Sequence, residues 1–168
     1  PTVAIPGRAA VSASAAFIDG YLGPRRIWPT TSSICELPAT SYALPFLFSD
    51  DATTGYAALA TDYSGTLWKM SISGDTCTAT DTGIAAPLYT PRQVGWGPNG
   101  TLLFGDRFKG FLAYDANLKL LPSAVEPRWS GGLGLLAIGG CGDDVCAIEQ
   151  NDDKHWLTRL NLDGSRKG

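Results

Sequence analysis

Acids recur along this chain at matching points. Asp19, Asp62, Asp106 and Asp152 stand 43, 44 and 46 residues apart, each next to a short polar turn. The turns carry further reactive groups: Tyr63 beside Asp62, Arg107-Phe108 beside Asp106, and Asp153-Lys154-His155 after Asp152. Carboxylates brought together from several turns can hold a cation or accept hydrogen bonds from hydroxyl groups, and phenol, guanidinium and indole groups can stack on a flat ligand and pair with its polar edges. The candidate ligand-binding set is therefore Asp62, Tyr63, Asp106, Arg107, Arg128, Trp129, Asp152 and His155. Calcium is the cation such acids would take, no metal ligand set is assigned, and no other cofactor is called for. His155, next to Asp152, Asp153 and Lys154, has the neighbours to tune an acid–base group. No nucleophile pattern lies near it, so no catalytic residue is assigned. The competing explanation for the acids is structural, since an aspartate in a turn accepts hydrogen bonds from backbone N–H groups two residues on.

The elements that must position these groups are repeats. Gly20, Gly65, Gly110 and His155 are spaced 45 residues apart, and each begins a matching tripeptide: Gly-Tyr-Leu, Gly-Thr-Leu, Gly-Phe-Leu and His-Trp-Leu. A period of about 40–45 residues made of short β-type runs and turns is the pattern of a propeller blade. Four units follow, at approximately 1–40, 41–85, 86–125 and 126–168. Extended runs are expected at 2–5, 11–18, 21–28 and 33–37; at 45–49, 56–62, 66–72 and 76–80; at 92–97, 101–106, 111–115 and 118–121; and at 133–139, 145–150 and 156–162. Pro24 marks the third run of the first unit as irregular or edge. The fourth unit lacks an outer strand, which leaves an open edge and predicts association with a second chain or with further blades. The fold expected is all-β, a β-propeller segment of about four four-stranded antiparallel blades, with the last incomplete.

The run from Pro91 to Asp106, with Gly110-Phe-Leu-Ala-Tyr-Asp115 after it, resembles the blades of NHL-type and gluconolactonase-like propellers, and Leu157 to Gly164 is similar to their third strand and turn. The resemblance implies the fold. The metal-binding set of the gluconolactonase-like group has no counterpart here residue by residue, so that activity is not implied. Asp62-Tyr-Ser-Gly65-Thr-Leu-Trp68 is one residue off the spacing of a sialidase Asp box and has Leu67 where that motif has Thr. In a propeller, the turns between second and third strands gather on one face with the links between blades. That face would hold Tyr42, Tyr89, Arg92, Arg128 and Trp129 along with the acids, while Trp28, Trp68 and Trp96 fall inside strands and are expected to pack between blades.

Composition limits the partners. Thirteen Lys plus Arg against sixteen Asp plus Glu give a net charge of −3, with 17% charged residues, so the clustered positive charge that nucleic acid demands is missing. No apolar run approaches the roughly 20 residues that span a bilayer. Cys141-Gly-Asp-Asp-Val-Cys146 reads as a hairpin with an Asp143-Asp144 turn, Gly142 opposite Val145 and Cys141 opposite Cys146, close enough for a disulfide. Such a bridge implies an oxidising compartment, secreted, extracellular or periplasmic. Cys35 and Cys77 fall on outer runs of neighbouring units, where blade rims diverge, and are not expected to pair. Asn99-Gly100-Thr101 is an N-glycosylation sequon on the turn face opposite the acids. The function expected is an extracellular module binding a carbohydrate or a protein. The alternatives are part of a metal-dependent hydrolase or lactonase, and a structural domain that assembles through its open edge.

Overall fold

The computed structural model describes residues 9–11, 14–20, 23–38, 45–61, 64–88, 91–106, 110–122, 134–151 and 154–167. Their regular structure is all β, in four antiparallel sheets. A closed ring of blades is not found among the described residues. The chain divides into two compact units, Pro1–Leu59 with Thr66–Gly83, and Ala60–Gly65 with Ile84–Gly168.

In the first unit, β1 (Ala9–Val11), β2 (Ala16–Gly20) and β3 (Gly23–Trp28) form a three-stranded sheet in that order. The four-stranded sheet follows as β4 (Phe46–Phe48), β5 (Thr54–Thr61), β6 (Ser64–Ser73) and β7 (Thr76–Ala85), also in chain order. Along β6, Met70 and Ile72 are buried while Lys69, Ser71 and Ser73 are exposed, the period-two pattern of a strand covered on one face. Gly74, at φ +60°, supplies the left-handed residue of the turn into β7. Phe17 of β2 stacks on Phe48 of β4, with centroids 3.8 Å apart and planes 3° from parallel. Around this pair gather Leu37, Phe46, Leu59, Met70 and Ile72, so the first two sheets pack face to face. Each large apolar side chain buried here contributes about 1.5–3 kcal/mol.

The second unit contains the next two sheets. The third consists of β8 (Pro91–Trp96), β9 (Leu102–Asp106) and β10 (Gly110–Tyr114), with the 3₁₀ turn Pro98–Gly100 between β8 and β9. Every residue of β9 and β10 is buried, so both faces of this sheet are covered. One face sets Leu103, Phe111 and Ala113 against Leu135, Ile138, Val145, Ala147 and Leu160 of the fourth sheet. On the other face Tyr114 meets Phe104 edge to face and donates its hydroxyl to the Ala85 carbonyl at 2.7 Å. Burial pushes the Tyr114 phenol far above its ordinary pKa. The fourth sheet is β11 (Gly134–Cys141), β12 (Asp144–Asn151) and β13 (Lys154–Leu160). Here the backbones of β8 and β11 approach closely: a Cβ on Gly95 would lie 2.2 Å from the Ile138 carbonyl oxygen. Only a residue without a side chain fits there.

The second repeat, 41–85, shows all four expected strands, and the third, 86–125, shows the first three. In the first sheet Val11 ends the opening strand and pairs with Ala16 of β2, so the expected single run 11–18 is instead parts of two antiparallel strands; the expected run 2–5 lies outside the described residues, and residues 33–37 follow β3 without forming a strand. The Ser32 and Cys35 N–H groups donate to the Arg26 and Pro24 carbonyls at 3.0 and 2.8 Å, so the segment runs beside β3 without the continuous ladder of a strand. In the third sheet, residues 118–121 make one bridge, Leu120 to Tyr114. In the fourth, the turn after β13 leads back to a bridge between Arg166 and Leu160, with the Lys167 N–H donating to the Arg159 carbonyl at 3.0 Å. A return onto the fourth sheet thus begins where no outer strand was expected.

Both cysteine pairs form disulfides. Cys141 and Cys146 are joined as expected, in a different register: Cys141 pairs with Asp144, and Cys146 lies opposite Gly139. Gly142, at φ +70°, occupies the first central position of a two-residue loop, so the turn is Gly142-Asp143 and the bridge runs diagonally on one face. The pairing of Cys35 with Cys77, at a Cα separation of 4.9 Å, corrects the expectation that they stay apart. The reason is the path of residues 33–37. The Ser33 N–H donates to the Asp75 carbonyl at 2.6 Å, and its hydroxyl accepts the Cys77 N–H at 2.8 Å, which draws the segment onto the start of β7.

Candidate functional site

The turns between second and third strands occur in all four sheets: between Gly20 and Gly23, Thr61 and Ser64, Asp106 and Gly110, and Asn151 and Lys154. Their tips lie outside the described residues, and so do Asp62, Tyr63, Arg107, Arg128, Trp129 and Asp152 of the candidate set. Asp19 lies on β2, paired with Pro24. Asp106 ends β9, opposite both Gly110 and Pro91, and is 1% exposed. His155 is exposed near the start of β13, opposite Gln150. Among the described residues no three His, Cys, Asp or Glu side chains gather as a metal site requires.

Acids at other turns do what the structural explanation says they should. Asp115 accepts the N–H groups of Asn117 and Lys119 at 2.8 and 2.9 Å and Asp163 that of Ser165 at 2.8 Å; within β7, Asp81 likewise accepts that of Gly83 at 2.9 Å. Asp51 accepts from the Ser49 hydroxyl and from the Thr53 N–H and hydroxyl, and these bonds, the Ser49 one foremost, hold its carboxyl below the ordinary value.

The fourth sheet carries most of the described polar chemistry. Alternation along β12 sends Val145, Ala147 and Glu149 to the face that packs on the third sheet, and Asp144, Cys146, Ile148 and Gln150 to the outer face. Glu149 is 1% exposed; its carboxylate accepts the Thr158 hydroxyl at 2.7 Å and the Arg166 guanidinium at 2.9 Å. Asp144, buried on the outer side, pairs with Arg159 and Lys167. The Lys167 ammonium, helped by the Arg159 guanidinium, holds the Asp144 carboxyl below its ordinary value against the opposing effect of burial.

Between this ion cluster and His155, the outer face of the fourth sheet is apolar. Ile148 lies opposite Leu157, and Leu136 is the extra residue of a bulge beside Ala137, which faces Ile148. Leu136 and Ile148 are each 41% exposed and Leu157 is 66% exposed. This row was missed in the sequence. Its signal was there: Ile148 and Leu157 break the alternation by standing on the parity that should be polar. On the first sheet, Trp28 was expected between blades but is 52% exposed; a bulge between Ala16 and Phe17 puts Ile27 and Trp28 on the side away from Phe17. Trp68 packs against the first core as expected. The sequon residue Asn99 is exposed in its turn, while the Thr101 hydroxyl is buried and donates to the Pro98 carbonyl at 2.8 Å.

No protein-family model matches the chain, and a search of curated proteins finds no relative. No helix among the described residues is long and apolar enough to cross a membrane, and the two disulfides fit an oxidising compartment.

Proposed function

We propose that this chain is a run of propeller-type blades acting as an extracellular binding module, with a carbohydrate or a protein surface as its ligand. The observation that supports this reading is the recurrence of one hairpin, between second and third strands, in every sheet. In the sequence, Asp62-Tyr63, Asp106-Arg107 and Asp152 to His155 fall at that point of their repeats. Acidic, aromatic and guanidinium groups at such turns match the hydrogen-bonding edges and flat faces of a sugar or a peptide. The disulfides support the extracellular setting.

The test is a screen of the purified chain on immobilised oligosaccharides and extracellular proteins, followed by calorimetry on the hits. Asp62→Ala, Arg107→Ala and Trp129→Ala should each weaken binding by about tenfold or more with melting temperature unchanged. Binding that all three leave intact would refute this placement of the site. Thermal stabilisation by calcium, reversed on chelation, would favour the metal-dependent hydrolase reading instead, because an ion that binds the native state raises its melting temperature.

A further inference from the structure

We infer that Cys141–Cys146 is an exchangeable disulfide, a site that an incoming dithiol opens on the folded chain ahead of Cys35–Cys77.

The two bridges are set in different surroundings. Cys35 and Cys77 are buried in an apolar core with Phe17, Leu59 and Met70, so a thiolate reaches them only by parting that core. Cys141 and Cys146 are half-buried on the outer face of the fourth sheet, beside the exposed loop Gly142-Asp143. Their register does not depend on the bridge: Cys141 pairs with Asp144 and Cys146 with Gly139, so the backbone ladder keeps the hairpin closed when the sulfurs part. The outer bridge also joins residues 5 apart against 42 for the inner one, and its opening frees little chain.

Charge sets the outer pair apart further. Arg159 on β13 stands directly opposite Cys146 on the same face, where cross-strand Cβ atoms are about 4.5–5.5 Å apart. Lys167 comes alongside Arg159, its N–H donating to the Arg159 carbonyl at 3.0 Å. Both cations are exposed and both bond Asp144, which precedes Cys146 by two residues on that face. Two cations against one carboxylate leave a positive charge in the row that crosses Cys146. The other charged groups described on this sheet lie elsewhere: Asp143 in the loop beside Cys141, Lys154 and His155 at the far end of β13, and Glu149 paired with Arg166 from the opposite face. A cation beside a cysteine stabilises its thiolate, and a stabilised thiolate leaves a disulfide faster.

The exchange then runs in two steps. A thiolate of the dithiol attacks the Cys141 sulfur across the exposed loop; the new sulfur–sulfur bond forms, the Cys141–Cys146 bond breaks, and its electron pair leaves on Cys146 as a thiolate opposite Arg159. The second thiol of the dithiol loses its proton to solvent and attacks its own partner sulfur, which breaks the mixed disulfide and releases Cys141 as a thiolate that takes a proton from water. The chain gains two electrons and the dithiol ends as a disulfide.

The experiment exposes the folded, fully bridged chain to graded dithiothreitol without denaturant, alkylates thiols at timed points and reads each cysteine by peptide mass spectrometry. Cys141 and Cys146 should be labelled about tenfold or more faster than Cys35 and Cys77. Brief treatment with glutathione, a monothiol, should leave the mixed disulfide on Cys141. In the reduced hairpin, Cys146 should alkylate with a pH midpoint below the ~8.5 of an ordinary thiol. Arg159→Gln should raise that midpoint and slow opening by about threefold or more, with Arg159→Lys restoring both. Asp144→Asn, which removes the opposing carboxylate, should lower the midpoint. Circular dichroism confirms that each variant folds, and Lys167→Gln takes the place of Arg159→Gln if the latter does not. A hairpin merely loosened by substitution would open faster and leave the midpoint where it was. Bridges that open together, an inner pair that opens first, glutathione found on Cys146, or an Arg159→Gln chain that opens as fast as wild type would each overturn the inference.

Discussion

The two disulfides close loops of very different length, and their removal should show it. Cys35 and Cys77 are 42 residues apart and Cys141 and Cys146 are 5 apart. The chain-entropy relation assigns roughly 4 kcal/mol to the longer loop and roughly 2 kcal/mol to the shorter one. Packing adds to the difference. Cys35 is fully buried and Cys77 nearly so, within the core around Phe17 and Met70, whereas Cys141 and Cys146 are half-buried on an outer face. Replacing the inner pair with alanine also removes buried atoms. With a urea m-value of about 2 kcal/mol per molar, Cys35→Ala/Cys77→Ala should lower the unfolding midpoint by about 2 M and Cys141→Ala/Cys146→Ala by about 1 M. The first bridge lies within Pro1–Leu59 with Thr66–Gly83 and the second within the other unit, so peptide-resolved hydrogen exchange should place each loss in its own unit. Equal losses, a reversed order, or a Cys35→Ala/Cys77→Ala loss spread over the whole chain would refute the reasoning.

Other outcomes follow from single contacts. Asp144 has its folded pKa depressed, so its contribution is complete above the unfolded value and disappears as pH falls through the folded one; Asp144→Asn should flatten the acid limb of a stability–pH curve measured between neutral pH and acid. Gly95→Ala should cost about 1–3 kcal/mol, read by denaturant melts, since the new methyl meets the Ile138 carbonyl on a backbone that has no room to retreat. Chain made in a secretory host should carry a glycan at Asn99, seen as mass that a glycosidase removes and that Asn99→Gln abolishes.

The sequence was most legible where alternation and turn chemistry agreed. Along β6, Met70 and Ile72 alternate with polar residues and run into Gly74; in the third sheet, Pro98-Asn99-Gly100 punctuates two extended runs. There strands and turns fall where the 45-residue spacing puts them. Misreadings came from non-local hydrogen bonds and from bulges. Nothing within residues 33–37 says that Ser33 will bond to Asp75, yet that contact draws the segment toward β7 and brings Cys35 to Cys77. A bulge turned Trp28 outward, and the positive φ of Gly142 moved the hairpin loop by one residue. In the candidate site, the hairpin positions were legible and the burial of Asp106 was not, because burial depends on what the neighbouring strands bring.

The outermost segments of the first and fourth sheets are fastened by different forces. Residues 33–37 are tied to the second sheet by a covalent bridge, while Arg166 and Lys167 are held from opposite sides of the fourth sheet by Glu149 and Asp144. A reducing agent therefore loosens one rim and leaves the other in place; concentrated salt acts in reverse, screening the exposed cations while the sulfur bridge stays shut. One molecule thus carries two independent latches, each answering to a separate property of its surroundings.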